Sequence, residues 1–316
     1  EGIPNIVTKN GKGPLVLRDL VKSLDSLPFP DYGLFYDKIP VIGKAPLKSI
    51  MVGRGCPYYC TYCFNTKWRG LYSGHGQVIR RHSVDYVIED IERVRSKWPL
   101  SCVKFYDDIF TYRADDWLEE FSRKYKQSIG LPFFILTRYD LLTEDMVRLL
   151  KKAGCQTISM SIEAGNPETR LNLLHRKMSD KQIIEASLLC YKYGISTFTN
   201  VILALPGSKL KDDFRSIDLA IEAKSTWAEM TIFYPYPGTE LGEYTIQKGF
   251  YVPKYSQMHS SYQNYSPLNC FSEKEKVIQR NMGVLGPIAI VSPKLRSLIL
   301  NHLIYLSYNR AFVLIF

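Results

Sequence analysis

The chain has 316 residues, with 41 Lys and Arg against 31 Asp and Glu for a formal net charge of +10; 46% of it is hydrophobic and 23% charged. That balance excludes a disordered or collagen-like chain, and the length suits two ordinary domains or one large α/β barrel with an extension. Basic residues are spread along the chain with only short runs at Arg80-Arg81 and Lys151-Lys152, which reads as a solvated basic surface and argues against nucleic-acid binding.

The first 46 residues carry Pro4, Pro14, Pro28, Pro30, Pro40 and Pro46 with little periodicity, the pattern of an irregular lead-in that packs on the folded region after it. From Leu47 onward, strand-like and helix-like segments alternate. Strands are expected at 47–53, 102–107, 133–137, 156–162, 197–204 and 228–234, and helices at 83–97, 115–128, 143–153, 179–193 and 210–223. Thr143-Glu144-Asp145 and Ser179-Asp180 supply N-caps and acidic first turns, and Gly154 and Gly194 fall where C-terminal caps belong. Such alternation implies a parallel sheet, because parallel strands need long crossovers. Six strands are too few for a closed eight-stranded barrel, so a doubly wound sheet and an open partial barrel both fit the pattern.

After about residue 250 a Tyr- and Ser-rich stretch (255–269) leads into two helical segments, 272–284 and 294–315. Asn301, His302, Ser307, Asn309 and Arg310 interrupt the last one, so it reads as a helix docked on the barrel and not as a membrane span. The expected division is a lead-in over 1–46, the barrel over 47–250 and a helical extension over 251–316. The chain opens at Glu1 with no signal peptide. Its seven cysteines are an odd number, four of which (Cys102, Cys155, Cys190, Cys270) stand alone in apolar or strand-like contexts. A secreted disulfide framework is disfavoured and a cytoplasmic location expected.

The chemistry is concentrated in Met51-Val52-Gly53-Arg54-Gly55-Cys56-Pro57-Tyr58-Tyr59-Cys60-Thr61-Tyr62-Cys63-Phe64, a C-x3-C-x2-C loop directly after the first strand. Loops at the C-terminal ends of strands are where α/β folds place active sites. Three closely spaced thiolates can converge on one inorganic centre, and flanking glycines let the backbone wrap it. Three ligands on a four-iron cluster leave one iron open for substrate or cofactor. A zinc site built from Cys60, Cys63, His75 and His82 is the rival, but its histidines are spaced beyond the usual interval and it leaves Cys56 idle.

This loop, with aromatic Tyr62 before the last cysteine, resembles the radical S-adenosylmethionine (SAM) enzymes. The resemblance implies a partial (β/α)6 TIM-like barrel in which Cys56, Cys60 and Cys63 hold a 4Fe-4S cluster. It further implies that SAM chelates the open iron and is reductively cleaved to a 5'-deoxyadenosyl radical, with the electron coming from a flavodoxin- or ferredoxin-type donor. It directs attention to further strand ends. Asp107 and Asp108 could accept hydrogen bonds from the SAM ammonium, or one could cap a helix. Arg138 could pair a carboxylate of SAM or substrate, or lie on the surface. Ser159-Met160-Ser161-Ile162-Glu163-Ala164-Gly165 looks like the family's Glu-Ser-Gly-type strand end with Ala164 in the Ser place, making Glu163 a cofactor contact either directly through ribose or by holding another polar group. Leu203-Ala204-Leu205-Pro206-Gly207-Ser208 is close to a Gly-Leu-Pro-Gly-Glu-Thr element. Asn200 could face the interior and bind ribose or a carboxylate, although an ordinary core hydrogen bond suits it better.

Tyr234-Pro235-Tyr236-Pro237-Gly238-Thr239-Glu240-Leu241 resembles the Pro-x-Pro-Gly-Thr-x-Leu element of the cobalamin-associated branch. Ile3-Pro4-Asn5 and Leu24-Asp25-Ser26-Leu27-Pro28-Phe29-Pro30-Asp31-Tyr32 resemble its interdomain linker. That branch implies a cobalamin-binding domain upstream of Glu1 and a reaction such as methylation of an unactivated carbon. The chain lacks the Asp-x-His-x-x-Gly sequence that often ligates cobalt and is therefore read as part of a longer protein. Methylthiolation of RNA or protein by a similar barrel, and a zinc-stabilised binding module without activity, are the alternatives. The small-molecule substrate is left open, with Tyr251, Tyr255, Tyr262 and Tyr265 as residues that could border an apolar one.

Overall fold

The computed structural model describes residues 5–9, 11–14, 16–257 and 265–307; Ile3, Pro4, Tyr262 and residues 308–315 of the last expected helix lie outside them. Strands β1 (Leu47–Ile50), β2 (Cys102–Phe105), β3 (Phe133–Leu136), β4 (Cys155–Glu163), β5 (Ser196–Leu203) and β6 (Trp227–Ile232) form one sheet in which each strand pairs in parallel with the one before it. A doubly wound sheet reverses its order at a switch point. The unbroken order here, with β1 and β6 as the two edges, is that of a curled partial barrel.

Helices α1 (Phe64–Leu71), α2 (Val84–Arg95), α3 (Asp116–Ser128), α4 (Glu144–Ala153), α5 (Asp180–Lys192), α6 (Leu210–Glu222) and α7 (Glu240–Gln247) follow the strands, and α8 (Glu273–Val291) and α9 (Pro293–Asn301) close the described chain. Their starts are chemically marked. The side chains of Ser83, Asp115, Thr143 and Thr239 accept from backbone N–H groups of the first turns of α2, α3, α4 and α7, while Ser179 with Gln182 and Ser272 with Glu275 form capping boxes. Gly154 ends α4 at a φ of 109°, which only glycine adopts without strain.

The strands bury one face under the helices. Along β5, Thr197, Thr199, Val201 and Leu203 are buried, while Ser196, Phe198, Asn200 and Ile202 alternate with them on the half-buried inner face. Phe105, Phe110, Phe121, Tyr125 and Phe133 form an aromatic cluster between sheet and helices, with ring centroids 4.9 to 6.4 Å apart and every ring at most 1% exposed. Burying each such side chain is worth about 1.5–3 kcal/mol. On β6, Met230 points outward against Gly286 of α8, where a Cβ would lie 2.3 Å from its sulfur.

Three expectations need correction. The last helix, expected at 294–315, ends at Asn301 and is followed by a 3-10 turn at Leu303–Tyr305. The helix expected at 272–284 continues to Val291 through Pro287, because its Ile278, Met282, Leu285 and Ala289 are buried and its packing on β6 and α6 outweighs one lost hydrogen bond. The lead-in is less irregular than its prolines suggest. It holds short helices at Gly33–Tyr36 and Pro40–Lys44, the second begun by a proline at its first position. Among the described residues no helix is long and apolar enough to cross a membrane.

Candidate active site

The cysteine loop is held in place by distant parts of the chain. Both carboxylate oxygens of Asp107, just past the end of β2, accept from the Val52 N–H (3.0 and 3.2 Å), and Oδ1 also accepts from that of Gly53 (2.5 Å). Tyr112 donates its hydroxyl to Gly55 O at 3.0 Å. Gly53–Arg54 pairs antiparallel with Arg80–Arg81. Gly55 sits at a φ of 88°, and a Cβ there would lie 2.4 Å from Val78 O, so glycine is required. Further along, Thr61 Oγ1 donates to Leu173 O (2.6 Å), and Thr61 O accepts from Leu241 N (2.9 Å) at the start of α7. Cys63 is the residue that caps α1.

Two guanidinium groups reach Cys60. Arg138 Nη1 and Arg176 Nη1 each lie 3.8 Å from its sulfur. Arg138 forms a two-pronged pair with Asp140 at 2.9 Å and stacks on the Tyr58 ring, 3.6 Å from its centroid. Arg176 donates to Ser161 O (2.7 Å) and to the Tyr62 hydroxyl (3.1 Å). Tyr62 in turn donates to Glu163 Oε1 at 2.8 Å. Burial acts against the charge on Arg176, but Tyr62, Glu163 and Cys60 outweigh it and hold the guanidinium firmly protonated. Arg69 stacks on Tyr59 and donates to the carbonyls of Cys56 and Pro57.

Burial pushes the Cys56 thiol up to about 11 and raises that of Cys63 as well, so both hold their protons at neutral pH. A bound metal removes such protons outright. Nε and Nη2 of Arg69 and Nε of Arg176 are buried without a hydrogen-bond partner. Donors in that state call for a negative group, and a thiolate-ligated iron-sulfur cluster supplies one. Among the described residues no three His, Cys, Asp or Glu side chains meet closely enough to hold a single metal ion. A cluster asks for less convergence, since each iron takes its own thiolate. The rival zinc histidines are engaged elsewhere: His82 Nδ1 lies 2.9 Å from Asp25 and its ring stacks on Tyr86, while His75 Nδ1 lies 3.1 Å from Asp19.

The residues expected to meet cofactor are distributed over this strand-end surface. Tyr62, Glu163 and Arg138 are joined to the cysteine loop through Arg176 and Cys60. Asp107 faces the protein's own backbone, and burial raises its pKa to about 6 against the pull of the N–H groups it accepts from. Asp108 is exposed and accepts from Asn65 Nδ2 at 2.8 Å. Asn200 faces the interior and donates to Ser159 Oγ at 3.1 Å. Sequence reasoning missed Arg69 and Arg176, since a lone arginine in a polar stretch carries no local signal.

Two strand ends hold left-handed residues other than glycine, Glu163 at a φ of 63° and Ala204 at 56°. Each costs about 1–3 kcal/mol and persists only where neighbours enforce it. Glu163 follows a register shift between β4 and β5. Next to it, Gly165 donates to Ser216 Oγ (2.7 Å), and a Cβ there would lie 2.3 Å from Ser216 N. Ala204 N–H donates to Asp213 Oδ1 (3.0 Å), and Gln279 of α8 donates to Oδ2 (2.9 Å). Burial pushes Asp213 up to about 7.

A sequence profile of the Radical SAM superfamily matches residues 50–220, more than half of the chain. The chain belongs to the radical SAM superfamily. With the family come its cofactors, a 4Fe-4S cluster and SAM. An uncharacterized methyltransferase of Pyrococcus horikoshii is 28% identical over 235 residues, which cover 72% of this chain and 48% of that protein. The cytidylyl-2-hydroxyethylphosphonate methyltransferase of Streptomyces wedmorensis is 25% identical over 274 residues, 80% of this chain and 49% of its own length. This radical SAM chain thus spans about half the length of the curated relatives it matches. Its fold is shared with the radical SAM methyltransferase TsrM of Kitasatospora setae, solved with cobalamin and a 4Fe-4S cluster. The TM-score is 0.53 at 16% identity, covering 73% of this chain and 46% of that one.

Proposed function

We propose that this chain is the catalytic barrel of a cobalamin-dependent radical SAM methyltransferase and that Cys56, Cys60 and Cys63 hold its cluster. The observation that carries the ligand assignment is the C-x3-C-x2-C loop clasped at the strand ends, with two buried guanidinium groups directed at Cys60. When bound, the cluster supplies the electron for reductive cleavage of SAM, drawn from a flavodoxin- or ferredoxin-type donor.

The chain's own groups prepare that chemistry. Arg138 and Arg176 offset the charge of thiolates withdrawn from water and donate N–H groups toward sulfur. The Arg176–Tyr62–Glu163 network locks the aromatic residue between Cys60 and Cys63. Asp107 fixes the entry to the loop. Asp108 and Glu163 are the polar groups at the strand ends that would face SAM, while Asn200, deeper in the barrel, holds Ser159 and Ser161. The curled sheet leaves an open cleft beside the loop that could receive a small-molecule substrate. The methyltransferase reading is supported by the names of the relatives, and the cobalamin reading by the Pro235–Leu241 element together with the TsrM fold, whose structure carries that group. We assign 1–46 as the linker to a cobalamin domain, 47–250 as the barrel and 251–316 as a helical extension. Thiols that hold a cluster must stay reduced, which fits a cytoplasmic setting.

The test is anaerobic iron and sulfide analysis with EPR of the dithionite-reduced chain, repeated after SAM is added. About four irons and a spectrum altered by SAM are expected, both lost in Cys56→Ala. Zinc without iron, or a Cys56→Ala protein that still cleaves SAM under dithionite, would refute the ligand assignment.

A further inference from the structure

The cleft beside the loop has a volume of about 310 Å³ and opens to solvent beside the exposed Tyr106 and Tyr236, with Tyr62, Ile202, Glu229 and Tyr234 among its other walls. Aromatic and aliphatic surface dominates it, and among the described residues lining it Glu229 is the one charged group. Glu229 lies midway along β6, on the face opposite Met230 and α8, and is half-buried. Its neighbour in the sheet is Asn200, whose amide is turned the other way, to Ser159 Oγ and Ser161 Oγ. Thr231, next on the same face, spends its hydroxyl on Val201 O. The cation of Lys104 stands over the Tyr106 and Phe134 rings, at 4.6 and 5.1 Å from their centroids. Among the described residues, no hydrogen bond or ion pair ends on the Glu229 carboxylate.

A carboxylate with no partner of its own, set among aromatic and aliphatic walls, is the counter-charge that a cation bound in the cleft would meet. Aromatic walls favour the same occupant, because ring faces attract cations. Depth separates this position from the cysteine loop. Glu229 is three residues before the end of β6 at Ile232, or about 10 Å down the strand at 3.3 Å per residue, whereas the cysteine loop lies at the strand ends.

We propose that Glu229 anchors the substrate, and that the substrate class is a flat or aromatic molecule carrying a protonated nitrogen, amine or amidine. This rests on the reading of the cavity as the substrate chamber of a radical SAM enzyme. The nitrogen meets the carboxylate while the unsaturated body lies among the tyrosines, which sets the carbon to be modified between Glu229 and the cysteine loop.

Benzamidine and its neutral near-isostere benzamide probe this directly on the cluster-loaded, SAM-bound chain, with affinities from calorimetry and the EPR effect of SAM read in parallel. Wild type is expected to bind benzamidine about tenfold more tightly than benzamide, as a charge-assisted hydrogen bond implies. Glu229→Gln should bring the two to parity and Glu229→Asp, which keeps the charge, should retain a preference. Parity in wild type, or a preference that survives Glu229→Gln, would overturn the anchor while leaving the radical SAM reading intact. Loss of the SAM effect in Glu229→Gln alone would reassign the carboxylate to SAM and defeat the proposal. Absence of any SAM effect in wild type would sink the underlying reading and this inference with it.

Discussion

The barrel's outer layer and its strand-end surface are built on opposite principles. Between sheet and helices, Phe105, Phe110, Phe121, Tyr125 and Phe133 fill space with rings, and nothing in that cluster depends on a particular atom meeting another. At the strand ends, almost every contact is a directed hydrogen bond or a paired charge, two backbone positions are left-handed, and donors on Arg69 and Arg176 stay open. The first region secures the fold and tolerates imprecision. The second holds strain and unsatisfied charge that the first must support.

Four substitutions test that contrast, beginning where stability is greatest. Phe121→Ala should lower unfolding stability by about 3–5 kcal/mol in denaturant titrations, with the folded fraction keeping its SAM-sensitive EPR spectrum. An altered spectrum at unchanged stability would break the separation of roles. Gly165→Ala, which drives a methyl group against the backbone of residues 215–216, should cost about 1–3 kcal/mol and also disturb the neighbouring Glu163, thus touching both regions. A melting temperature equal to wild type would show that the contact yields.

Asp213 joins the two regions, and its folded pKa of about 7 stands above the ordinary value near 4. The native state therefore holds the proton more tightly than the unfolded chain. Its contribution is most favourable in acid and is lost as pH rises from about 4 to about 7, by up to about 1.4 kcal/mol per pH unit. Asp213→Asn, read by melting temperature at pH 5 and pH 8, should flatten that slope; an unchanged slope would place its origin elsewhere. The smallest effect on stability belongs to Arg176→Lys, which keeps the charge but loses the fork reaching Ser161, Tyr62 and Cys60. We expect a reduction potential more negative by on the order of tens of millivolts and a stability loss of about 1 kcal/mol from the buried hydrogen bonds given up. A potential that does not move would remove Arg176 from the tuning of the cluster.

Legibility in the sequence divides along the same line. The alternation of strands and helices, the caps at Thr143 and Ser179 and the glycine at 154 are local signals of period and turn chemistry, and the structure bears them out. The choice between a partial barrel and a doubly wound sheet needed strand order, which periodicity does not encode. The cysteine loop was legible because three thiols within eight residues rarely serve anything but an inorganic centre. Arg176, Arg69 and Glu229 were not, since each owes its meaning to neighbours far away in the chain. Asp107 shows the intermediate case: its position at a strand end was foreseen, whereas its grip on Val52 and Gly53 became visible only with β1 laid beside β2.

The clasp on Thr61 has a consequence for assembly. Its carbonyl is met by the N–H of Leu241 and its hydroxyl by the carbonyl of Leu173, so the loop reaches its final form only after nearly the whole barrel has been synthesised and wound. Contacts of such wide sequence separation form late. In the folded chain Cys56 and Cys63 remain half-exposed while Cys60 is buried. Access of iron and sulfide to the outer two thiols thus outlasts folding, whereas access to Cys60 narrows as Leu173 and Leu241 close on Thr61.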